Sequence, residues 1–223
     1  MKEIILYGNG LITDVIFYYF TKDRNYNVVA ITENKKFIRS PYFNGVKVYP
    51  FEEIEISHPP SKYCMFIAIG FHNMNDLRTT KYLEAKQKGY EIISFIHPLA
   101  SVPTNVEYGE NTLIMHNTTI LPNVKIGSNV FVWQGTVIGH HSIIGDNCWF
   151  SSPTTISGNV VVGRNCFFGA NSTVGHNISI GNYCFFGANS LQVKDLPDEK
   201  VVITEPSNVL EISSREFSKI FKF

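Results

Sequence analysis

"VWQGTVIGHHSIIGDNCWFSSPTTISGNVVVGRNCFFG", residues 132–169, keeps one six-residue grammar from end to end. A large apolar side chain stands at Val132, Ile138, Ile144, Phe150, Ile156, Val162 and Phe168, and a small or β-branched one at Thr136, Ser142, Cys148, Thr154, Val160 and Cys166. Followed outward, the first column runs from Val102 to Phe186 and is apolar or aromatic at all fifteen positions, while the second runs in the same phase from Val106 to Ser190. A fixed hexapeptide period predicts a parallel β-helix, because a sandwich or ordinary barrel does not hold one phase for so long. Three hexads per triangular coil would stack residues 18 apart, the spacing of Phe150, Phe168 and Phe186 and of Cys148, Cys166 and Cys184. The cysteines then read as small core-fillers on one wall.

A third column is Asn at positions 105, 111, 117, 123, 129, 147, 159, 165, 171, 177 and 189. Asn tolerates left-handed backbone angles, so these positions are expected to be the corners between faces. The exceptions are Gly135, His141, Pro153 and Tyr183, and three of the four lie around "VIGHHSIIGDNC", residues 137–148. A scaffold that breaks its own rule in one place is doing something besides stacking there. His140 stands just before the corner, in a column expected to point outward. Its equivalent one coil later is Gly158, leaving room against the wall, and two coils later His176. His140 is the candidate base; His141 is either its partner or an inert corner residue. His97, His116 and His176 lack the local break and read as structural.

Residues 1–97 have a different grammar. "KEIILYG", "NVVAITE", "GVKVYP", "MFIAIG" and "EIISFIHP" read as strands, with helices over "LITDVIFYYFTK" and within "NMNDLRTTKYLEAKQKGY". That alternation predicts a Rossmann-like α/β domain with a parallel sheet. Ligands in such sheets sit at the carboxyl ends of the strands, which here carry Gly8, Asn9, Gly10, Glu33 and Gly70. A dinucleotide fingerprint wants a third glycine, and position 13 is Thr; a tight strand-to-helix turn explains the pair equally well. The expected domains are 1–97, a β-helix over 98–196, and a tail, 197–223. A short amphipathic helix with Phe217, Ile220 and Phe221 on one side is expected in the tail, packed on the β-helix or a neighbouring subunit.

The chain has 223 residues with 19 basic and 19 acidic side chains. A net charge of zero gives no electrostatic case for nucleic acid or an anionic membrane as partner. No run approaches a membrane span, the N-terminus lacks a signal-peptide pattern, and four cysteines make no disulfide framework. A soluble cytoplasmic protein is expected.

On "ILYGNG", "FIAIG" at 66–70, "ISFIHPLASV", "VIGHHSIIGDNC" and "VKDLPDEKVV", nearly the whole chain resembles the sugar O- or N-acyltransferases of the sialic-acid and bacillosamine-pathway type. The resemblance implies a sugar-nucleotide-binding α/β domain before a left-handed β-helix. It implies a homotrimer with active sites between neighbouring β-helices, and acetyl-CoA as co-substrate along the wall. The family's catalytic histidine falls on His140, and Gly158, Ala170, Gly187 and Ala188 fall along the acetyl-CoA track. Two positions depart from the family: His141 stands where many members have an acid, and Trp149 where many have a second histidine near acetyl-CoA.

The implied activity is N-acetylation of a nucleotide-linked, dideoxy-type amino sugar for bacterial glycan synthesis, with His140 taking the proton and a backbone N–H holding the oxyanion. Alternatives are O-acetylation of the sialic-acid type, or a non-enzymatic sugar-nucleotide-binding trimer. The same scaffold holds zinc in gamma-type carbonic anhydrases, but the residue five past His176, where a third histidine would be needed, is Gly181. No metal is expected.

Overall fold

The computed structural model describes residues 1–220. The first apolar run forms β1 (Lys2–Tyr7), followed by α1 (Leu11–Lys22), β2 (Tyr26–Glu33), the short β3 (Tyr42–Phe43) and β4 (Val46–Pro50). A single turn, α2 (Ile54–Ser57), leads to β5 (Cys64–Ile67), α3 (Asp76–Gln87) and β6 (Glu91–Ile92). The sheet order is β3-β4-β2-β1-β5-β6, parallel except for the β3–β4 hairpin. The central strands are covered on both faces, which is why they read as unbroken apolar runs; Ile4, Ile5, Leu6 and Phe66 are fully buried.

The expected fifth strand, "EIISFIHP", is two strands in two different sheets. Glu91–Ile92 pairs with β5, whereas Phe95–Ile96 (β7) pairs with Leu113–Ile114 of the β-helix. The backbone N–H of Ile93 donates to Met65 O at 3.1 Å, and the Ser94 hydroxyl donates to Gly109 O at 2.8 Å. The domains therefore meet within one peptide bond, ahead of the expected junction at 97.

From Glu107 onward each hexad contributes a two-residue strand, and the strands stack in parallel with residues 18 apart in register, as in Phe131↔Trp149 and Val132↔Phe150. Three sheets result. The first apolar column points inward, and every member from Ile114 to Phe186 is buried. Phe150, Phe168 and Phe186 stack with centroids 4.6 Å apart, close to the inter-strand spacing. The corners behave as the third column predicts: φ lies between 53° and 64° at ten of its eleven asparagines, Asn105 being the exception, and His141, Tyr183 and Gly135 also have positive φ. The coil ends later than expected, because Val201–Val202 still pairs with Phe185–Phe186.

One face, carrying Phe131, Trp149 and Phe167 outward, is packed against the α/β domain. Phe66 stacks on Phe131 at 5.7 Å and Phe71 contacts both Trp149 and Phe167. The corner at positions 129, 147 and 165 forms a docked edge beneath α3, and the corner at 171 and 189 an open edge. The third corner, at 123, 141, 159 and 177, is a distal edge opposite the packed face. Arg78 of α3 closes the docked edge. It is fully buried, has no carboxylate partner among the described residues, and donates to Gly70 O, Asn129 O, Asn147 O, Cys148 O and the side chains of Asn75 and Asn129. Its guanidinium lies 4.5 Å from the Phe131 ring, and burial pulls its pKa down to about 9. The tail beyond Ile203 ends in α4 (Ser214–Ile220), whose residues, including Phe217 and Ile220, are exposed; Phe221 lies outside the described residues.

Candidate active site

His140 lies on the distal edge, in the residue pair just before the corner. Its backbone carbonyl accepts from Asn159 N–H one coil later at 2.8 Å, and the N–H of His141 donates to Pro122 O one coil earlier at 3.2 Å. The main chain is thus held from both sides while both side chains stay exposed. The imidazole of His140 does not face an empty notch above Gly158: it fills it. A Cβ built on Gly158 would stand 2.7 Å from both Cε1 and Nε2. The room seen at this position in the sequence is room for the ring itself.

The two histidines form a pair after all. Their rings are nearly perpendicular, at 83°, and Nδ1 of His140 lies 3.1 Å from Nδ1 of His141. On its other side, Nε2 of His141 lies 3.1 Å from Nδ2 of Asn123. His140 keeps Nε2 as its remaining ring nitrogen, so the edge presents one imidazole nitrogen whose partner nitrogen is held.

The five residues expected at the sheet's carboxyl edge come together. Gly8, Asn9, Gly10, Glu33 and Gly70 line one cleft of about 830 Å³, joined by Tyr7, Asn34, Lys36 and Lys81. Gly8 has φ of 126°, and a Cβ there would clash with the Thr13 hydroxyl, so the turn demands glycine. Thr13, in place of a third glycine, donates to Ala68 O at 3.0 Å and fastens α1 to the end of β5. The Tyr7 hydroxyl lies 3.0 Å from Glu33 Oε1 and 2.7 Å from Asn34 Oδ1. Burial pushes the Glu33 carboxyl above its ordinary range, and hydrogen bonds from Asn34 N–H and the Tyr7 hydroxyl oppose that only in part. Burial also raises the Tyr7 phenol, with the nearby Glu33 adding to it.

The remaining expected residues lie elsewhere. Trp149 is 3 % exposed, stacked on Phe131 at 5.5 Å, with its indole N–H on Ser151 Oγ. As an outward residue of the packed face, it is covered by the other domain, where the sequence leads us to expect a contact with acetyl-CoA. Ala170 and Ala188 are exposed, with Gly187 beside them, on the open edge, one corner away from His140. One chain thus carries its cleft on the packed side, its histidines on the opposite edge, and the glycine–alanine turns on a third. Sequence reading missed Tyr7, Lys81, Asn123 and Arg78. Tyr7 and Lys81 sit in elements that read as an apolar strand and a polar helix. Among the described residues no group of three His, Cys, Asp or Glu side chains could hold a metal, and no helix is long and apolar enough to cross a membrane.

Residues 109–140, 141–176 and 159–191 match the bacterial transferase hexapeptide family. PerB from Caulobacter crescentus, solved with CoA and GDP-perosamine, is 26% identical, with 92% of this chain and 95% of that one covered and a TM-score of 0.81. The acetyltransferase domain of PglB from Neisseria gonorrhoeae, solved with acetyl coenzyme A, is 21% identical over 94% of this chain and 99% of that one, TM-score 0.81. WeeI from Acinetobacter baumannii is 20% identical over 94% of this chain and all of the other, TM-score 0.80. No curated protein matches the chain in sequence. Hexapeptide repeats over residues 109–191, the α/β domain ahead of them and likenesses that run almost end to end show a two-domain acyltransferase with a left-handed β-helix.

Proposed function

We propose that the protein transfers the acetyl group of acetyl-CoA to the amine of a nucleotide-linked amino sugar, with His140 as general base. The observation that carries this reading is His140 itself: an exposed imidazole clamped by the coils on either side, its Nδ1 engaged and its Nε2 left for substrate. PerB, similar over nearly its whole length, was solved with CoA and GDP-perosamine, which supports the choice of acceptor class. In the proposed reaction the neutral amine attacks the thioester carbonyl, a backbone N–H holds the oxyanion, and the nitrogen's proton passes to Nε2. Collapse breaks the C–S bond, and the proton leaves with the CoA sulfur as the free thiol.

The cleft holding Gly8, Asn9, Gly10, Glu33 and Gly70 is the proposed seat of the sugar nucleotide, with Lys36 and Lys81 beside it for phosphate. The turns at Gly158 and at Ala170, Gly187 and Ala188 are proposed to line the acetyl-CoA track. These parts lie on different sides of a single chain, so a complete site needs a second copy beside the distal edge, and a homotrimer is the assembly proposed. A cytoplasmic location, where acetyl-CoA is available, follows from the same reading. The test is a thiol-release assay with acetyl-CoA against UDP-, GDP- and dTDP-linked amino sugars, with the matching hydroxyl sugars as controls. Release with none of the amino sugars, or only with hydroxyl acceptors, overturns it.

A further inference from the structure

The three corner ladders of the β-helix differ in one respect that bears on His140. On the docked edge the ladder has a fixed direction. Ile67 N–H donates to Asn111 Oδ1 at 2.8 Å, and a backbone N–H can only donate. Asn111 must then offer Nδ2 to Asn129 Oδ1, Asn129 to Asn147, and Asn147 to Asn165. The last amide ends on two acceptors, Met74 O and Asp76 Oδ1, at 3.0 Å each. Both ends are pinned.

The distal edge is built differently. Asn105 Nδ2 reaches Asn123 Oδ1 at 2.8 Å, and Asn123 Nδ2 reaches His141 Nε2 at 3.1 Å. An asparagine at 141 would go on to Asn159, where the ladder resumes with Asn159 Nδ2 on Asn177 Oδ1. His141 instead turns its other nitrogen sideways onto His140. The free end of this run is Asn105, an exposed side chain whose amide no backbone group holds among the described residues. The run can therefore be reversed by turning two amides over, with every hydrogen bond kept.

The two directions place the proton of His140 on different nitrogens. With Asn123 donating, His141 accepts on Nε2, carries its proton on Nδ1 and donates to His140, which is left protonated on Nε2. That tautomer cannot take a proton where the substrate would offer one. With Asn123 accepting through Oδ1, His141 carries its proton on Nε2 and accepts on Nδ1. His140 then donates from Nδ1 and has a bare Nε2. We propose that Asn123 is a positioning residue: through His141 it sets the tautomer of His140, the task that a carboxylate at position 141 would perform directly. The proposal rests on His140 being the base of the reaction described above. In the competent direction Nδ1–H already faces His141 when Nε2 receives the amine proton, so protonation requires no rearrangement.

The test uses the full chain with Asn123→Gly, which removes the amide and tolerates the positive φ of 63° found there. The kcat should fall roughly 10- to 100-fold, as the loss of an orienting partner typically costs a functional histidine, while KM for both substrates stays within about threefold. In a His141→Glu background, where a carboxylate accepts from His140 directly, Asn123→Gly should cost less than about twofold. A purely structural role would cost the same in both backgrounds. Nitrogen-15 NMR of the ligand-free protein should show His140 protonated on Nδ1 in the wild type and shifted toward Nε2–H in Asn123→Gly. If Asn123→Gly fails to fold, Asn123→Ser, whose hydroxyl is too short to reach His141, replaces it. An unchanged kcat, an equal loss in the His141→Glu background, or an unchanged tautomer overturns the proposal. The NMR arm needs no turnover, so it separates failure of the tautomer link from failure of His140 as base.

Discussion

The imidazole of His140 occupies the place a side chain at residue 158 would need, with a Cβ there 2.7 Å from Cε1 and Nε2. The glycine and the histidine are one device, made by the 18-residue repeat that puts them on adjacent coils. Gly158→Ala should leave the fold intact, since the exposed ring can swing out, but kcat should drop by about 100-fold through misplacement of Nε2. Steady-state kinetics with an unchanged melting temperature would confirm it; a wild-type kcat would show that the ring's seat is unimportant.

Replacing His140 by Ala or Asn should lower kcat by about 10²- to 10⁴-fold, the usual span for a general base. CoA binding, measured by calorimetry, should persist. A variant that acetylates at the wild-type rate removes His140 from the chemistry.

Arg78 is the tie between domains. Arg78→Ala strips donors from four buried carbonyls, Gly70 O, Asn129 O, Asn147 O and Cys148 O, and should cost about 2–4 kcal/mol of stability. Arg78→Lys should recover little of it, because an ammonium cannot reproduce the planar fork of five N–H groups. Denaturant unfolding of both variants gives the comparison.

Glu33 carries a pH signature. Its folded pKa is raised by burial, so the neutral carboxyl is favoured in the folded protein. Stability is lost as pH rises from the ordinary carboxylate value through the raised one. Glu33→Gln should therefore melt higher than wild type at about pH 7, and the gap should close by about pH 3, below the ordinary carboxylate value, where Glu33 is protonated in both states. A gap of the same size at both values would contradict the assignment.

The β-helix was legible because its period is a property of the chain alone: inward residues, corners and the stacked phenylalanines all follow from counting by six. So was the cleft, since strands alternating with helices bring Gly8, Glu33 and Gly70 to one sheet edge. What periodicity cannot show is which outward face another domain covers. Trp149 and Ile143 occupy equivalent outward positions in their hexads, yet one is sealed under Phe71 and the other exposed. Arg78 was hidden for a related reason: in the polar helix "DLRTTKYLEAKQ" nothing marks one cation as buried. The link from Asn123 to His140 needed the corner to be seen in three dimensions, because an asparagine in that column looks like every other.

The junction at Ile93 and Ser94, where one residue bonds into the α/β sheet and the next into the coil, has a consequence for inheritance. There is no linker at which the α/β half could be exchanged for another. A chimaera cut at 97 would carry Phe95–Ile96 away from its pairing with Leu113–Ile114, and a cut anywhere between Arg78 and Asn129 would separate Arg78 from the carbonyls of positions 129 and 147. With the cleft as the proposed sugar-nucleotide seat, a change of acceptor sugar would then arise by substitution inside it, with both halves passed on as one piece.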